Sequence, residues 1–360
     1  MKKHYLFAFG ICLLFFSTKA QILGYTGFEN YSDETGYTKN SWISDGFNVP
    51  WVNGFDAGRG YVDNAFAQSG NNSLRIKYPV NTYGPSNNGA QAPLTVTPAD
   101  ELYMSYWVRF SDNFDWGGSS EGGKLPGLGG GARCSGCQTC TGSNGFTARL
   151  MWRTGGKAVL YLYHLDKTNP PCGDNLTLQL SGSDFYFQKG QWYNIIERVK
   201  INSGANHDGE VELWINEQPA LLVTGIQFVS NGDKVDNLYF STFHGGSDAN
   251  WAPSVECYTW FDEMKIAAKA DDVFTTTALQ KLHLNKEVSA YPNPVEAGGK
   301  LQVSVNATSY VAEWSDLTGK VLSSSNNSDN SLSVPDLAAG TYLLKITSRE
   351  QVLFKKIIIE

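Results

Sequence analysis

Apolar and polar side chains alternate with a period of two along much of the first 270 residues. In "GFTARLMWR" (145–153), Phe146, Ala148, Leu150 and Trp152 fall on one face, and Thr147, Arg149, Met151 and Arg153 on the other. In "AVLYLYHL" (158–165), Ala158, Leu160, Leu162 and His164 share a face, and Val159, Tyr161, Tyr163 and Leu165 share the opposite one. Side chains of a strand point alternately to the two sides of a sheet, so each run predicts a strand with one buried face. The intervening "TGGK" predicts a hairpin turn, which would set Arg149, Arg153, Tyr161 and Tyr163 on one sheet face. Comparable runs at 102–110, 192–201, 209–216, 236–243 and 258–266 lie between turn signals, and no long amphipathic helix interrupts them. The pattern predicts an all-β chain, with a jelly-roll β-sandwich of concanavalin-like type over residues 21–270.

The ends read differently. "MKKHYLFAFGICLLFFSTKA" places two lysines before an apolar run and a small residue after it, the arrangement of a secretory signal peptide over 1–20. The texture changes again near Ala270: 271–285 reads as a linker, and 286–360 as a separate small β-sandwich of immunoglobulin-like type. That last module contains Tyr291-Pro292-Asn293-Pro294, "DLTGK" at 316–320, Gly340-Thr341-Tyr342 and a lysine pair before its closing apolar strand. In these motifs it resembles the C-terminal sorting domain of the type IX secretion system. The resemblance implies passage through the periplasm and across the outer membrane, followed by release or attachment at the cell surface. No other stretch is long and apolar enough to predict a membrane span in the mature protein.

Composition narrows the chemistry. The formal net charge of the 360 residues is −7, which argues against a nucleic-acid partner. A polyanionic substrate stays compatible with it if positive charge is gathered locally. Of six cysteines, Cys12 falls in the signal segment. Cys134, Cys137, Cys140, Cys172 and Cys257 remain, and "CSGCQTC" lacks a second ligand pair at zinc-site spacing. Loop-stapling disulfides are expected instead, with the pairing left open.

"GGKLPGLGGG" (122–131) holds a single long cation, Lys124, in a stretch read as a glycine-rich loop. Beside the predicted hairpin, that loop would add an ammonium to two guanidiniums and two phenols. Arginine grips a carboxylate with two parallel donors, and positive neighbours draw lysine and tyrosine toward proton transfer. Those groups suffice for β-elimination on a uronic acid. The carboxylate is neutralised, a base removes the C5 proton, an acid protonates O4, and the chain breaks leaving a double bond.

The segments "YWVRFSDNFDW", "GGKLPGLGGG", "FTARLMWR", the "YLY" at 161–163 and "YFSTFHGGSDANWAP…WFDEMKI" together resemble polysaccharide lyase family 14, the alginate-lyase type. The resemblance is strong over 100–266 and weaker over 21–99. It implies a jelly roll that holds polysaccharide on its concave face, with catalytic residues falling on Lys124, Arg149, Tyr161 and Tyr163. Thr147 stands where the family often has serine, so a serine-specific role is in doubt while the hydroxyl is kept. Thr147, Arg153, Gln91 and His244 are further candidates for holding substrate. Trp192 and Trp251 are candidates for stacking on sugar rings, or for ordinary core packing.

The leading expectation is therefore a secreted lyase acting on a 4-linked uronate polysaccharide, alginate first and glucuronan second. A non-catalytic carbohydrate-binding jelly roll would need aromatic platforms but no lysine–tyrosine set. A glycoside hydrolase would need two carboxylates at short separation, and the only paired glutamates, Glu210 and Glu212 in "GEVELW", read as a solvent face. No nucleotide-binding fingerprint is present. The chemistry requires no cofactor and no catalytic metal, and a structural calcium is compatible with the sandwich.

Overall fold

The computed structural model describes residues 22–118, 122–168, 172–275, 289–305, 309–316, 320–347 and 352–360. The predicted signal peptide and most of the predicted linker lie outside the described residues. In chain order the first unit contains β1 (Ile22–Thr26), helix α1 (Lys39–Ser44), β2 (Gly60–Asp63), β3 (Ser73–Tyr78), helix α2 (Gly84–Asn87), β4 (Ala90–Ala99), β5 (Glu101–Phe110) and β6 (Gly122–Gly130). There follow β7 (Phe146–Arg153), β8 (Ala158–Tyr163), β9 (Asp174–Thr177), the short pair β10 (Gln179–Leu180) and β11 (Ser183–Asp184), and β12 (Trp192–Lys200). β13 (Gly209–Ile215), β14 (Gln218–Ile226), β15 (Val235–His244) and β16 (Cys257–Ala267) complete it.

Apart from β10 and β11, which pair only with each other, these strands form two sheets. One runs β4-β15-β6-β7-β8-β9, and the other β14-β13-β12-β5-β16-β3-β2 with β1 also paired to β16. Every run read as a strand from its alternation is one. The core lies between the sheets, where Leu150 and Trp152 of β7, Leu160 of β8 and Phe240 of β15 are buried with Met104 and Phe261 of the opposite sheet. The other face of the six-stranded sheet is thereby released from packing duty, and it carries the polar half of each alternating run.

The glycine-rich stretch is a strand rather than the expected loop. β6 is central, paired with β15 on one side and β7 on the other. A Cβ built on Gly127 would meet the Ala148 carbonyl oxygen at 2.0 Å, so the residue between Tyr239 and Arg149 has to be glycine. Pro126 cannot donate to a ladder, and it sits where the register with β7 slips between Lys124 and Gly127. The opposite sheet caps this bulge. Tyr106 donates its hydroxyl to the Pro126 carbonyl at 3.2 Å, and Glu197 accepts the Leu128 N–H at 3.1 Å.

Glu197 is fully buried, and its second oxygen has no hydrogen-bond partner. Burial raises its carboxyl well above the ordinary range, so it is protonated in the folded protein. In the unfolded chain the same carboxyl ionises above about pH 4.5. Wild-type stability therefore falls as pH rises from there toward the folded-state value, a loss that Glu197→Gln escapes. The variant's unfolding free energy relative to wild type is expected to climb by ~1.4 kcal/mol per pH unit across that window. Urea titrations from pH 4 to 9 measure it, and a difference flat with pH would show that the buried group is ionised.

The C-terminal unit has a separate core of Leu301, Val303, Trp314, Leu344, Ile346 and Ile357. Its strands are β17 (Ala290–Tyr291), β18 (Lys300–Val303), β19 (Tyr310–Ser315), β20 (Val321–Asn327), β21 (Ser331–Ser333), β22 (Gly340–Thr347) and β23 (Val352–Ile359). They form a three-stranded sheet β17-β18-β21 and a four-stranded sheet β20-β19-β22-β23. Its sequence motifs meet in space: the Asn293 amide donates to the Lys356 carbonyl at 2.9 Å and accepts the Ile358 N–H at 2.8 Å.

Candidate active site

The released face of the six-stranded sheet gathers the predicted cations and phenols. β7 and β8 pair as the expected hairpin, and its register sets Arg149 opposite Tyr161 and Thr147 opposite Tyr163. On the other side of β7, Lys124 faces Met151. The Lys124 Nζ donates to Met151 Sδ at 2.8 Å and lies 3.7 Å from the centre of the Tyr161 ring. Burial lowers the Lys124 ammonium well below its ordinary value, and the Arg149 and Arg153 guanidiniums push it further down. The side chain nevertheless keeps partial access to solvent on this face.

Arg149 is 3% exposed, donates to Ser241 Oγ at 3.1 Å and stands 5.2 Å from the Tyr239 ring centre. Burial pulls its guanidinium below the ordinary value, opposed by Tyr239, Tyr163 and Tyr161, and it remains charged. Its Nε is buried without a partner, and among the described residues no carboxylate pairs with Arg149 or with Lys124. Arg153 lies at the edge of the group, 5.6 Å from the Tyr161 ring centre, and donates to Asn175.

The two phenols form a chain. The Tyr163 hydroxyl donates to Tyr161 Oη at 3.1 Å, and the Cys137 backbone N–H donates to Tyr163 Oη at 2.8 Å. Burial pushes Tyr163 up to about 12, the Tyr161 hydrogen bond adds to the rise, and the Cys137 N–H and Arg149 oppose it.

Of the residues expected to hold substrate, Gln91 joins the group. Its amide donates to Tyr239 Oη at 2.9 Å and Ser241 Oγ at 3.0 Å, so Ser241 receives both Gln91 and Arg149. Thr147 is fully buried and spends its hydroxyl on the Cys134 carbonyl at 3.0 Å, which tethers the preceding loop. His244 is not brought to the site. It is fully buried between the sheets, stacked on Phe114 and bonded through Nε2 to the Asp115 carbonyl at 2.8 Å. Burial holds its imidazole down at about 4, neutral in ordinary conditions. Period two within β15 explains the correction: Tyr239, Ser241 and Phe243 point one way, so Phe240, Thr242 and His244 point the other. Read strictly, the same alternation would have selected Tyr239 and Ser241 from the sequence. Trp251 borders the group, partly buried against the cluster that contains Met151, Val159 and the two phenols. His164 lies on the opposite face of β8 from Tyr163, bonded to Asp174 at 3.0 Å.

The cysteine cluster is a double staple. Cys134 bonds Cys140, Cys137 bonds Cys172, and Cys257 is a buried free thiol. Among the described residues no group of three His, Cys, Asp or Glu side chains could hold a metal ion. None of the described helices is long and apolar enough to cross a membrane.

The family model for polysaccharide lyase 14 matches residues 67–264, and that for the secretion system C-terminal sorting domain matches residues 289–360. No curated protein matches the sequence significantly. Among solved structures, the alginate lyase Aly36B is 27% identical with a TM-score of 0.58, the match covering 68% of this chain and 95% of that one. The PL-14 alginate lyase from Aplysia kurodai shares the fold at 24% identity and a TM-score of 0.58, over 69% of this chain and 100% of that one. The alginate lyase vAL-1 from Chlorella virus does so at 19% identity and a TM-score of 0.50, over 64% and 97%. The chain thus belongs to polysaccharide lyase family 14, an enzyme family, and bears a type IX secretion sorting domain that marks it for export.

Proposed function

We propose that this enzyme cleaves alginate by β-elimination, with Arg149, Lys124 and Tyr161 as its working groups. The observation that carries the reading is the buried Arg149 guanidinium with no acidic partner among the described residues. A buried cation left unpaired is costly, and a substrate carboxylate arriving beside it supplies the missing partner. Arg149 would neutralise the C6 carboxylate and so acidify the C5 proton. Lys124, dried and crowded by two guanidiniums, is poised as a neutral amine able to take that proton. The electron pair of the C5–H bond forms the C4=C5 double bond as the C4–O4 bond breaks. Tyr161 gives its hydroxyl proton to O4, and its phenolate then accepts the Tyr163 hydrogen bond. Proton return from the Lys124 ammonium to the Tyr161 phenolate, through solvent, resets the site. No metal or cofactor is needed for these steps.

Alginate is favoured over other uronate polymers by the solved relative. Aly36B has been determined in complex with an alginate trisaccharide and an alginate tetrasaccharide, as lysine–methionine and lysine–tyrosine variants. Those residue types meet here at Lys124, Met151 and Tyr161. Export through the type IX route would deliver the enzyme to polymer outside the cell, either released or held at the surface.

The test offers the full chain poly-mannuronate, poly-guluronate and glucuronan separately and follows the ultraviolet absorbance of the unsaturated product. Absorbance growing on an alginate block is expected. Product from glucuronan alone would move the assignment to that polymer, and retained binding without product on any of them would leave a carbohydrate-binding module.

A further inference from the structure

The structure assigns a positioning role to the backbone amide of Cys137: held by the Cys137–Cys172 disulfide, it fixes Tyr163 so that the Tyr163 hydroxyl serves Tyr161 during turnover. The inference rests on the lyase reading above and adds a part to the site that lies on neither strand of the hairpin.

Three observations place it there. The Cys137 N–H points at Tyr163 Oη at 2.8 Å, and Cys137 Sγ lies 3.8 Å from the same oxygen. Of the two acceptors open to the Tyr163 hydroxyl, Cys137 Sγ at 3.8 Å and Tyr161 Oη at 3.1 Å, the phenol oxygen is the nearer and the stronger acceptor. The loop supplying the amide is tied at three points: Cys134 to Cys140, Cys137 to Cys172 beyond β8, and the Cys134 carbonyl to the buried Thr147 hydroxyl. Cys137 itself has φ of 61°, a left-handed conformation that a non-glycine residue keeps only where its surroundings enforce it.

The consequence is chemical. Protonating O4 leaves a phenolate on Tyr161. A donor already aimed at that oxygen stabilises the charge without reorganising. Tyr163 is that donor, and an amide donating to its oxygen polarises its O–H toward Tyr161. The other charged or titratable groups facing the pair are Lys124 from β6 and Arg149 and Arg153 from β7, with Tyr239 of β15 beyond Arg149. All are basic or phenolic, and the half-cystines do not titrate.

The experiment is a double-mutant cycle on the full chain between the staple and Tyr163. The C137A/C172A variant keeps a backbone amide at position 137 but frees it. It is expected to lower kcat about tenfold with KM changed less than about twofold. That split, a fall in kcat at nearly constant KM, is what loss of an aimed donor to Tyr161 produces, whereas a merely loosened loop would weaken substrate binding as well. Tyr163→Phe should show a loss of similar size, and adding C137A/C172A to Tyr163→Phe should cost nothing further. Additive losses, a rise in KM in place of the fall in kcat, or C137A/C172A indistinguishable from wild type would each overturn the assignment while the wild-type lyase activity stands. Absence of product from wild type on every uronate polymer would be a failure of the lyase reading instead. If the double variant does not fold, folded wild-type enzyme reduced with TCEP, the phosphine being oxidised as the disulfides become thiols, is expected to show the same fall in kcat. Unchanged kcat after complete reduction would overturn the role.

Discussion

Lys124→Ala is expected to lower kcat by about 10³–10⁴, and Lys124→Arg to be nearly as inactive. The second variant separates two roles that the first leaves together. If Lys124 only added positive charge near the substrate carboxylate, arginine would supply it, and with a better fork. If Lys124 removes the C5 proton, arginine fails, because a guanidinium does not give up its proton in this range. The surroundings favour the second role. Nζ faces the Met151 thioether and the Tyr161 ring, neither of which bears a formal charge, and two guanidiniums oppose its protonation. The pH dependence follows with a definite sign. The amine works when neutral, so kcat/KM should fall as pH drops through the lowered lysine value, and this acid limb should lie well below the ordinary lysine range. Progress curves of the unsaturated product from pH 5 to 10, for wild type and both variants, measure it. A Lys124→Arg enzyme with wild-type kcat would make the lysine a charge neutraliser and return the base to Tyr161.

How far such a site can be read from sequence depends on what fixes each part. The hairpin of β7 and β8 was legible because one clean alternation spans both strands and the core needs every second residue. The register that sets Arg149 opposite Tyr161 follows from the tight turn between them. β6 was not legible as a strand, because seven of residues 122–131 are glycine or proline, and no intrinsic propensity marks it. What makes it a strand is tertiary: neighbours approach so closely that Gly127 has no room for a Cβ, and Tyr106 and Glu197 from the other sheet hold its bulge. His244 was misplaced although the alternation within its own strand sets it on the face opposite Tyr239 and Ser241. The Cys137–Tyr163 contact lay beyond sequence reasoning altogether, since disulfide connectivity depends on how a loop folds back over the sheet.

Arg149→Met is expected to lower kcat/KM by about 10³ while raising thermal stability, a combination that few substitutions produce. The guanidinium is buried, faces no carboxylate among the described residues, and leaves Nε unbonded, so the folded apo-enzyme bears an uncompensated desolvation penalty. Methionine is of similar length and fills the space between the Tyr239 and Tyr161 rings without a charge. Replacing buried charge by apolar packing is commonly stabilising by ~1–4 kcal/mol. The hydrogen bond lost at Ser241 is a modest offset, because Ser241 still accepts from Gln91. Activity goes the other way. Without the guanidinium the C6 carboxylate stays anionic, and the C5 proton loses the acidification on which elimination depends. Arg149→Lys should recover part of the activity, since it restores charge without the fork. Thermal melts and initial rates on the same preparations decide between two accounts. Higher stability with lost turnover means that the fold tolerates an unpaired charge for the sake of its substrate. Lower stability with turnover reduced only in proportion to the folded fraction would make Arg149 a structural pin to Ser241, and the carboxylate would have to be met elsewhere.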